Sequence, residues 1–344
     1  MRRIKPLLRL FSIVAMGASV LGTTGGLAAD KSPLTIAAFS TPALAADAFY
    51  MDMGKRIAAA PGEPFDVKML VRGELGSDEA HFYALRRGRI QIAGVGFQSV
   101  STAVPALTVL NGAYLFDSWD EIDFIYETAV VSYVNALLDD HGIKGILHYA
   151  SSWHGLYSQE PIRLPTDVAG KRIRALIDPS SQVFVRALDA DMFQVAMTDV
   201  VTSLQTGLIE GGDTNAHVYT MTGTSTEAPF FTLTRHTPTI ITIIANKKWW
   251  DGLTADQQGI VETAHPPMRV AGAALRADAE RMLAEVADDH ATLIEPTEDE
   301  LAAWRAVGRS THRALIDAGG GQAQELYDVV MDAKQAYQRS LHVE

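Results

Sequence analysis

The sequence predicts an α/β protein of two lobes whose C-terminal third is mostly helical. Its length of 344 residues suggests about two domains. Through the first two thirds of the chain, short strand patterns alternate with helical ones, which is typical of parallel sheets joined by crossover helices. From Ala255 onward the pattern is almost entirely helical.

Short strand patterns recur along the chain. They cover residues 33–39, 65–69, 90–95, 145–149, 172–177 and 239–245. Apolar and charged residues alternate over 65–69, as they do on a half-buried strand. The β-branched run over 239–245 is long enough for a central strand or for one that crosses between domains.

Helices are predicted between these strands. They cover residues 45–60, 78–87, 180–188 and 199–206. Pro61 and Gly62 end the first of them, because these residues form turns. Ser77 and Thr198 are the predicted N-caps of two others, since a hydroxyl at that position accepts from free backbone N–H groups.

Three features divide the C-terminal helical region. Pro266 and Pro267 should kink or break its first helix. Thr297 and Glu300 have the spacing of a capping box, which predicts a helix that begins there. The glycines at 319–321 separate the last two helices.

Residues 1–29 have the pattern of a signal peptide. Basic residues precede an apolar run over 10–21, and small residues follow up to Ala29. The apolar run is too short for an ordinary membrane span, although an uncleaved anchor is the alternative. Cleavage would remove four cations and change the net charge from −12 to −16. We therefore expect a secreted, periplasmic protein.

Composition and motifs argue against several functions. The strongly acidic net charge disfavours nucleic-acid binding, which needs basic surfaces. The chain has no cysteine, so no disulfide forms despite export. Phosphate-loop, His-Glu-x-x-His and nucleophile-elbow motifs are absent, and the histidines lack metal-ligand spacing. No cofactor or metal is predicted, although Asp213 and Gln98 offer oxygens that could hold a metal bridging to a ligand.

Two arginines in the predicted strand over 172–177 are candidates for anion binding. Arg172 and Arg174 are two residues apart and therefore share one face of the strand. The planar guanidinium group can pair with a carboxylate through two parallel hydrogen bonds. Spacing alone favours a solvated or internally paired arginine.

Several segments, taken together and in order, resemble the solute-binding proteins of TRAP transporters. Residues 203–207, Ser-Leu-Gln-Thr-Gly, match part of the family pattern EVYTALQTGVVDG almost verbatim. Residues 164–174 resemble TPEDLKGLKIR, and residues 246–258 resemble KKFWDSLPPEDQ. Gly73–Asp78, 85–92 and 114–116 resemble further family segments, so that the likeness covers roughly residues 33–290.

The resemblance implies a ligand-binding role for particular residues. Arg174 falls on the family's signature arginine, which clamps the carboxylate of the substrate. Thr214 and Asn215 fall on a loop where an amide contacts the ligand, and Asp213 would orient that loop. Met197 falls where an aromatic residue often packs on the ligand, and an ordinary core methionine is the alternative.

Departures from the family pattern bear on the substrate. His154, with Trp153 beside it, replaces a second arginine that many members have. Phe39 and Gly96 replace the Asn and Glu of sialic-acid-binding members. Fewer charges and more rings suggest an aromatic or hydrophobic monocarboxylate whose ring would contact Phe39, Phe97 or Trp153. The predicted ligand contacts are Arg174, His154, Trp153, Thr214, Asn215, Asp213, Met197, Phe39, Phe97 and Gln98.

The resemblance also implies a periplasmic-binding-protein-like clamp. Lobe I would comprise residues 30–150 plus 239–278, and lobe II residues 151–238 plus 279–344, with hinges near 150–152 and 237–239. A monomer would bind a small organic acid between the lobes and deliver it to the membrane permease. A secreted enzyme and a receptor for a sensor kinase are the alternatives from other classes.

Overall fold

The sheet is held together by two long neighbouring strands. The computed structural model describes residues 31–342, so the predicted signal peptide over 1–29 lies outside the described residues. The strands are β1 Ser32–Ala37, β2 Phe65–Leu70, β3 Ile92–Gly96, β4 Ile143–Ser158, β5 Arg172–Ala175, β6 Asp191–Gln194, β7 Gly211–Asn215, β8 Phe230–Thr232, β9 Pro238–Asn246 and β10 Thr292–Ile294. Their order is β2-β1-β3-β9-β4-β7-β5-β6, and β8 pairs with both β4 and β10.

Helices cover the sheet and make up most of the chain after β9. They are α1 Ala45–Ala58, α2 Asp78–Arg86, α3 Phe97–Ser101, α4 Trp119–Ile125, α5 Val131–Asp140, α6 Pro179–Ala187, α7 Val200–Gln205, α8 Ala216–Met221, α9 Thr224–Glu227, α10 Lys247–Asp251, α11 Ala255–Glu262, α12 Met268–Asp289, α13 Glu298–Ser310, α14 His312–Gly319 and α15 Gly321–Leu341. Short 3-10 helices cover Pro105–Asn111, Pro165–Asp167 and Met197–Asp199, and a π-helical turn, Tyr126–Val130, joins α4 to α5. Within residues 31–342, no helix is both long enough and apolar enough to cross a membrane.

Strand β4 joins the two halves of the sheet. Its first part, from Ile143 to Trp153, pairs antiparallel with β9, and its last part, from His154 to Ser158, pairs antiparallel with β7. The predicted strand over 145–149 was therefore far too short. Sequence reasoning ended the strand at Tyr149, shortly before the polar residues Ser151 and Ser152. The buried Ser151 hydroxyl, however, donates to the Thr239 carbonyl at 3.2 Å, and the chain stays extended.

The buried apolar side chains form three clusters. The first includes Leu34, Ile92 and Ile243, and it extends to Leu326 and Val330 on α15. The second includes Leu156 and the third includes Tyr157. These are consecutive residues of β4, and because successive side chains of a strand point to opposite faces, one strand supplies both clusters.

Most predicted helix boundaries are confirmed. Thr297 and Glu300 form the capping box that begins α13, and Ser77 caps α2. The residues Pro266-Pro267 separate α11 from α12, as expected. The predicted cap at Thr198 was wrong, because a 3-10 turn over Met197–Asp199 precedes α7 and places Asp199 at its N-cap without a side-chain bond.

Candidate ligand-binding site

The two arginines of strand β5 have very different surroundings. The Arg172 side chain is 42% exposed, and its Nη1 lies 3.5 Å from a carboxylate oxygen of Glu210. Arg174 is only 5% exposed. Its Nε donates to the Val195 carbonyl at 3.0 Å, and its Nη1 donates to the Asp213 carbonyl at 3.4 Å.

Within residues 31–342, Arg174 forms no ion pair with an acidic side chain, whereas the partly exposed Arg276 and Lys334 pair with Asp123 and Glu121. Two neutral carbonyls accept from the guanidinium group, but neither neutralises it. Removing a charge from water is costly unless an opposite charge lies beside it. Burial raises the pKa of the neighbouring Tyr157 hydroxyl, and the Arg174 charge partly offsets that rise. The site is therefore suited to an incoming anion.

Beside Arg174, the side chain of Asp213 is buried between two histidines. Its Oδ1 accepts from His154 Nδ1 at 2.8 Å and from His236 Nε2 at 3.2 Å. Its Oδ2 accepts from the Ser181 hydroxyl at 2.5 Å. Burial by itself would raise the pKa of Asp213, but the two histidines hold that pKa well below its usual value. Burial chiefly lowers the pKa of His236, so a neutral His236 donates its Nε2–H to Asp213.

This cluster lines a small cavity of about 10 Å³, room for roughly one water molecule, so the cavity must widen to admit a larger ligand. Gln98 of α3 lines one side, and Ser180, Ser181 and Phe184 of α6 line another. His154, Asp178, Asp213 and His236 contribute polar atoms, and Leu176 and Thr237 complete the lining. A buried polar cavity beside an unpaired guanidinium group can bind a small anion that also carries hydrogen-bonding groups.

Comparison with known proteins identifies the family of this chain. The model of the bacterial extracellular solute-binding protein family 7 (DctP) matches residues 47–317. The chain belongs to this family. Its members are substrate-binding proteins of TRAP transporters, which work with a membrane permease and are not enzymes.

Individual relatives of this family 7 protein are distant. It is 23% identical to the C4-dicarboxylate-binding periplasmic protein DctP of Rhodobacter capsulatus, over 75% of this chain and 78% of the relative. It is 24% identical to the 2,3-diketo-L-gulonate-binding periplasmic protein YiaO of Escherichia coli, over 76% of each. The solved structure of a Sulfitobacter TRAP solute-binding protein with bound β-D-galacturonate matches 88% of this chain and 100% of its own, at 19% identity and a TM-score of 0.79. That likeness shows the two-lobed α/β fold.

The fold of this solute-binding protein brings several predicted site residues together. Gln98, His154 and Asp213 line the same cavity, and Arg174 is bonded to the backbone of Asp213. Thr214 follows on β7 and is 2% exposed. The ladder between β4 and β7 produces this grouping, because it pairs His154 with Asn215 across the two strands.

The predicted aromatic contacts lie elsewhere. Phe97 is fully buried in the first cluster and packs against the His148 ring at 5.5 Å, outside the lining of the cavity, so its contact with a ligand stays a prediction. Trp153 stacks on Trp119 at 4.4 Å and packs against the same cluster. Phe39 is 47% exposed, outside the cavity.

Two further predicted contacts have other surroundings. Asn215 is the N-cap of α8, where its side-chain oxygen accepts from Val218 N at 3.0 Å, and this bond explains the residue without a ligand. Met197 is 38% exposed, which excludes the core-methionine alternative. It lies two residues after Val195, whose carbonyl accepts from Arg174, so its contact with a ligand stays a prediction.

Sequence reasoning missed five polar residues of the cavity, namely Asp178, Ser180, Ser181, His236 and Thr237. Asp178 precedes Pro179 and caps α6, so the helix cap alone accounts for an acid at this position in the sequence. His236 is separated from His154 and Asp213 in the sequence, so only the folded sheet brings the three together.

Proposed function

We propose that this protein captures a small organic acid outside the cytoplasmic membrane and delivers it to a TRAP permease. Arg174 holds the carboxylate of that acid. The chain would reach the periplasm through the signal peptide predicted over residues 1–29 and act there as a monomer. Relatives named for C4-dicarboxylate and 2,3-diketo-L-gulonate support an organic acid as the ligand.

The buried, unneutralised guanidinium group of Arg174 is the observation that carries this proposal. An unpaired charge in a dry site is unfavourable, and a ligand carboxylate would supply the missing opposite charge. Two charge-assisted hydrogen bonds to one carboxylate would fix its orientation as well as its position. Arg172, with its exposed side chain and its Glu210 partner, lacks both properties.

The nature of the cavity favours a polar acid. The aromatic monocarboxylate proposed from the sequence depended on Phe39, Phe97 or Trp153, and none of these rings lines the cavity. Phe184 is an aromatic residue of the lining, and its ring stacks on His236 at 4.5 Å. Residues with carboxylate, imidazole or hydroxyl groups are most of the other lining residues, so a hydroxylated or otherwise polar organic acid fits better.

We propose that binding closes two lobes around this site. Strands β4 and β9 pair side by side, and their register shifts between Ala150 and Ser152, where the sequence predicts the hinge. Thr239 is the partner of Ser152 across that shift. A ligand that contacts both lobes is bound more tightly in the closed form, and this difference in affinity drives closure.

Titration of matched arginine variants tests the proposed function. A thermal-shift screen of the mature protein against small organic acids would identify the tightest ligand, and calorimetry would then compare Arg174→Ala with Arg172→Ala. We expect Arg174→Ala to lose at least about 2 kcal/mol, roughly thirtyfold in affinity, because a buried charge pair is lost. Arg172→Ala should bind normally, since an exposed ion pair contributes little.

Two outcomes would contradict the proposal. Unchanged titration of a folded Arg174→Ala protein, with folding checked by circular dichroism, would remove the role of this residue. Chemical conversion of the bound acid during incubation would show catalysis rather than capture.

A further inference from the structure

The cavity has a polar feature of its own, separate from the Arg174 charge that lies beside Asp213. Asp178 is 1% exposed and stands at the N-cap of α6. Its Oδ1 accepts from Ser180 N at 3.0 Å, from Ser181 N at 3.4 Å and from the Ser180 hydroxyl. All of the capping bonds therefore use one oxygen of the carboxylate.

The other oxygen, Asp178 Oδ2, is buried and has no hydrogen-bond partner among the described residues, although Asp178 lines the cavity. Helix capping does not explain this atom, because Oδ1 provides the cap. A buried carboxylate oxygen without a donor is unfavourable. A ligand in the cavity is a natural source of that donor.

His154 supplies a second unpartnered atom to the same cavity. It is 3% exposed, and its Nδ1 is bonded to Asp213 Oδ1 at 2.8 Å. Its Nε2 is buried and, within residues 31–342, has no partner. In the tautomer whose ring hydrogen is on Nδ1, where it is donated to Asp213, Nε2 is an acceptor.

We propose that Asp178 Oδ2 and His154 Nε2 form a subsite for a hydrogen-bond donor of the ligand, a hydroxyl or an ammonium group. The ionised Asp178 carboxylate and the Nδ1–H tautomer of His154 both accept at these atoms. Burial and the nearby Asp213 charge raise the pKa of Asp178, and a donor from the ligand would favour its ionised form. The subsite therefore attracts donors and repels a second carboxylate. This inference rests on the proposed function, in which Arg174 binds the carboxylate of the same ligand.

A matched series of acids tests the subsite in the wild-type protein. The series comprises hexanoate, 6-hydroxyhexanoate, 6-aminohexanoate and adipate, together with butanoate, 4-hydroxybutanoate, 4-aminobutanoate and succinate. At one chain length or both, we expect the acid with a terminal hydroxyl or amino group to bind at least about tenfold more tightly than the methyl-ended acid. The dicarboxylate should bind no better than the methyl-ended acid. The hydroxyl and amino arms separate the two kinds of donor.

Asp178→Asn is the informative variant, because it keeps the capping oxygen and replaces Oδ2 with an NH₂ donor. In this variant we expect the preference for acids with a terminal hydroxyl or amino group to fall at least about tenfold. The dicarboxylate should bind the variant more tightly than it binds the wild type. Asp120→Asn is the control, since Asp120 is an exposed acid in the first turn of α4. That variant should keep the wild-type order.

The outcomes separate the subsite from the proposed function. Equal affinity for all end groups, or tightest binding of the dicarboxylate, would overturn the subsite while loss of binding in Arg174→Ala still supports the proposed function. If no acid binds, or if Arg174→Ala binds all of them normally, both are wrong. Should Asp178→Asn fail to fold, the order of affinities in the wild-type protein decides the question by itself.

Discussion

Arg172 and Arg174 are two positions apart on β5, yet the fold gives one an exposed ion pair and the other a buried site. Their alternation with Ile173 could be predicted from the sequence, as could the resemblance that singled out Arg174. Their difference in burial could not, because it depends on β6 and β7 pairing with opposite edges of β5. Spacing alone favours a solvated or internally paired arginine at both positions, and only Arg172 fits that description.

At the same scale, Asp178 shows how one side chain can have two uses. The sequence indicates a helix cap, and the cap is present. What the sequence does not contain is the direction of the second carboxylate oxygen, which depends on how α6 packs beside His154 and Asp213. The sequence pattern at Asp178 therefore indicates a helix cap and carries no sign of a binding role.

His148 provides a prediction about acid stability. This residue is 2% exposed and is bonded to Asn135 at 2.8 Å and to Thr242 at 2.7 Å. Burial lowers the pKa of His148 to about 4. Because the unfolded chain takes up this proton first, near pH 6.5, the stability contributed by neutral His148 is complete above that pH and is lost as the pH falls toward 4.

Urea unfolding at several pH values measures this contribution. Between neutral pH and pH 4 we expect a loss on the order of 3 kcal/mol from this residue. His148→Gln should unfold with a correspondingly weaker pH dependence, whereas His141→Gln, at an exposed position, should behave as the wild type. Identical pH dependence in all three proteins would contradict the assignment.

At the scale of elements, β4 is where sequence reasoning was least successful. The polar stretch from Ser151 to His154 looked like a segment beyond the end of a strand, but the Ser151 hydroxyl and His154 Nδ1 are bonded across the sheet. By contrast, the β-branched strand β9 and the proline break before α12 were predicted well, because β-branching and proline act locally. Elements whose polar residues are satisfied by distant partners cannot be predicted from local patterns.

Contact between β4 and β7 leads to a second stability prediction. Gly212 lies opposite Tyr157, and a Cβ at Gly212 would come within 2.3 Å of the Tyr157 hydroxyl oxygen. Gly212→Ala should therefore destabilise the protein by about 1–3 kcal/mol in urea unfolding, and it should also weaken ligand binding, because Asp213 is the next residue. Gly259→Ala is the control, since a Cβ at that helical position meets no atom within 4 Å. Equal stability of the two variants would show that β7 can move away.

At the scale of the whole molecule, the three apolar clusters bear on how the lobes are divided. The sequence placed residues 279–344 in lobe II, whereas Ile316, Leu326 and Val330 of α14 and α15 pack into the first cluster with Leu34. We propose that these two helices move with lobe I. Sequence patterns identified the helices but could not show which cluster they cover, since that depends on contacts between distant segments.

Besides β4 and β9, helix α12 connects the clusters. Its Met268, Ala271 and Leu275 belong to the first cluster, and its Leu283 and Val286 pack against the third. Closure of the proposed lobes would therefore bend two strands and one helix together. Such a three-part connection favours a limited hinge rotation that returns the same cleft residues to the same positions.

A crystal structure of the protein with its tightest organic acid tests the central claim most directly. We predict that both carboxylate oxygens lie within about 3 Å of the Arg174 guanidinium nitrogens. The contrary result would be a carboxylate bound elsewhere, with Arg174 still bonded only to the carbonyls of Val195 and Asp213.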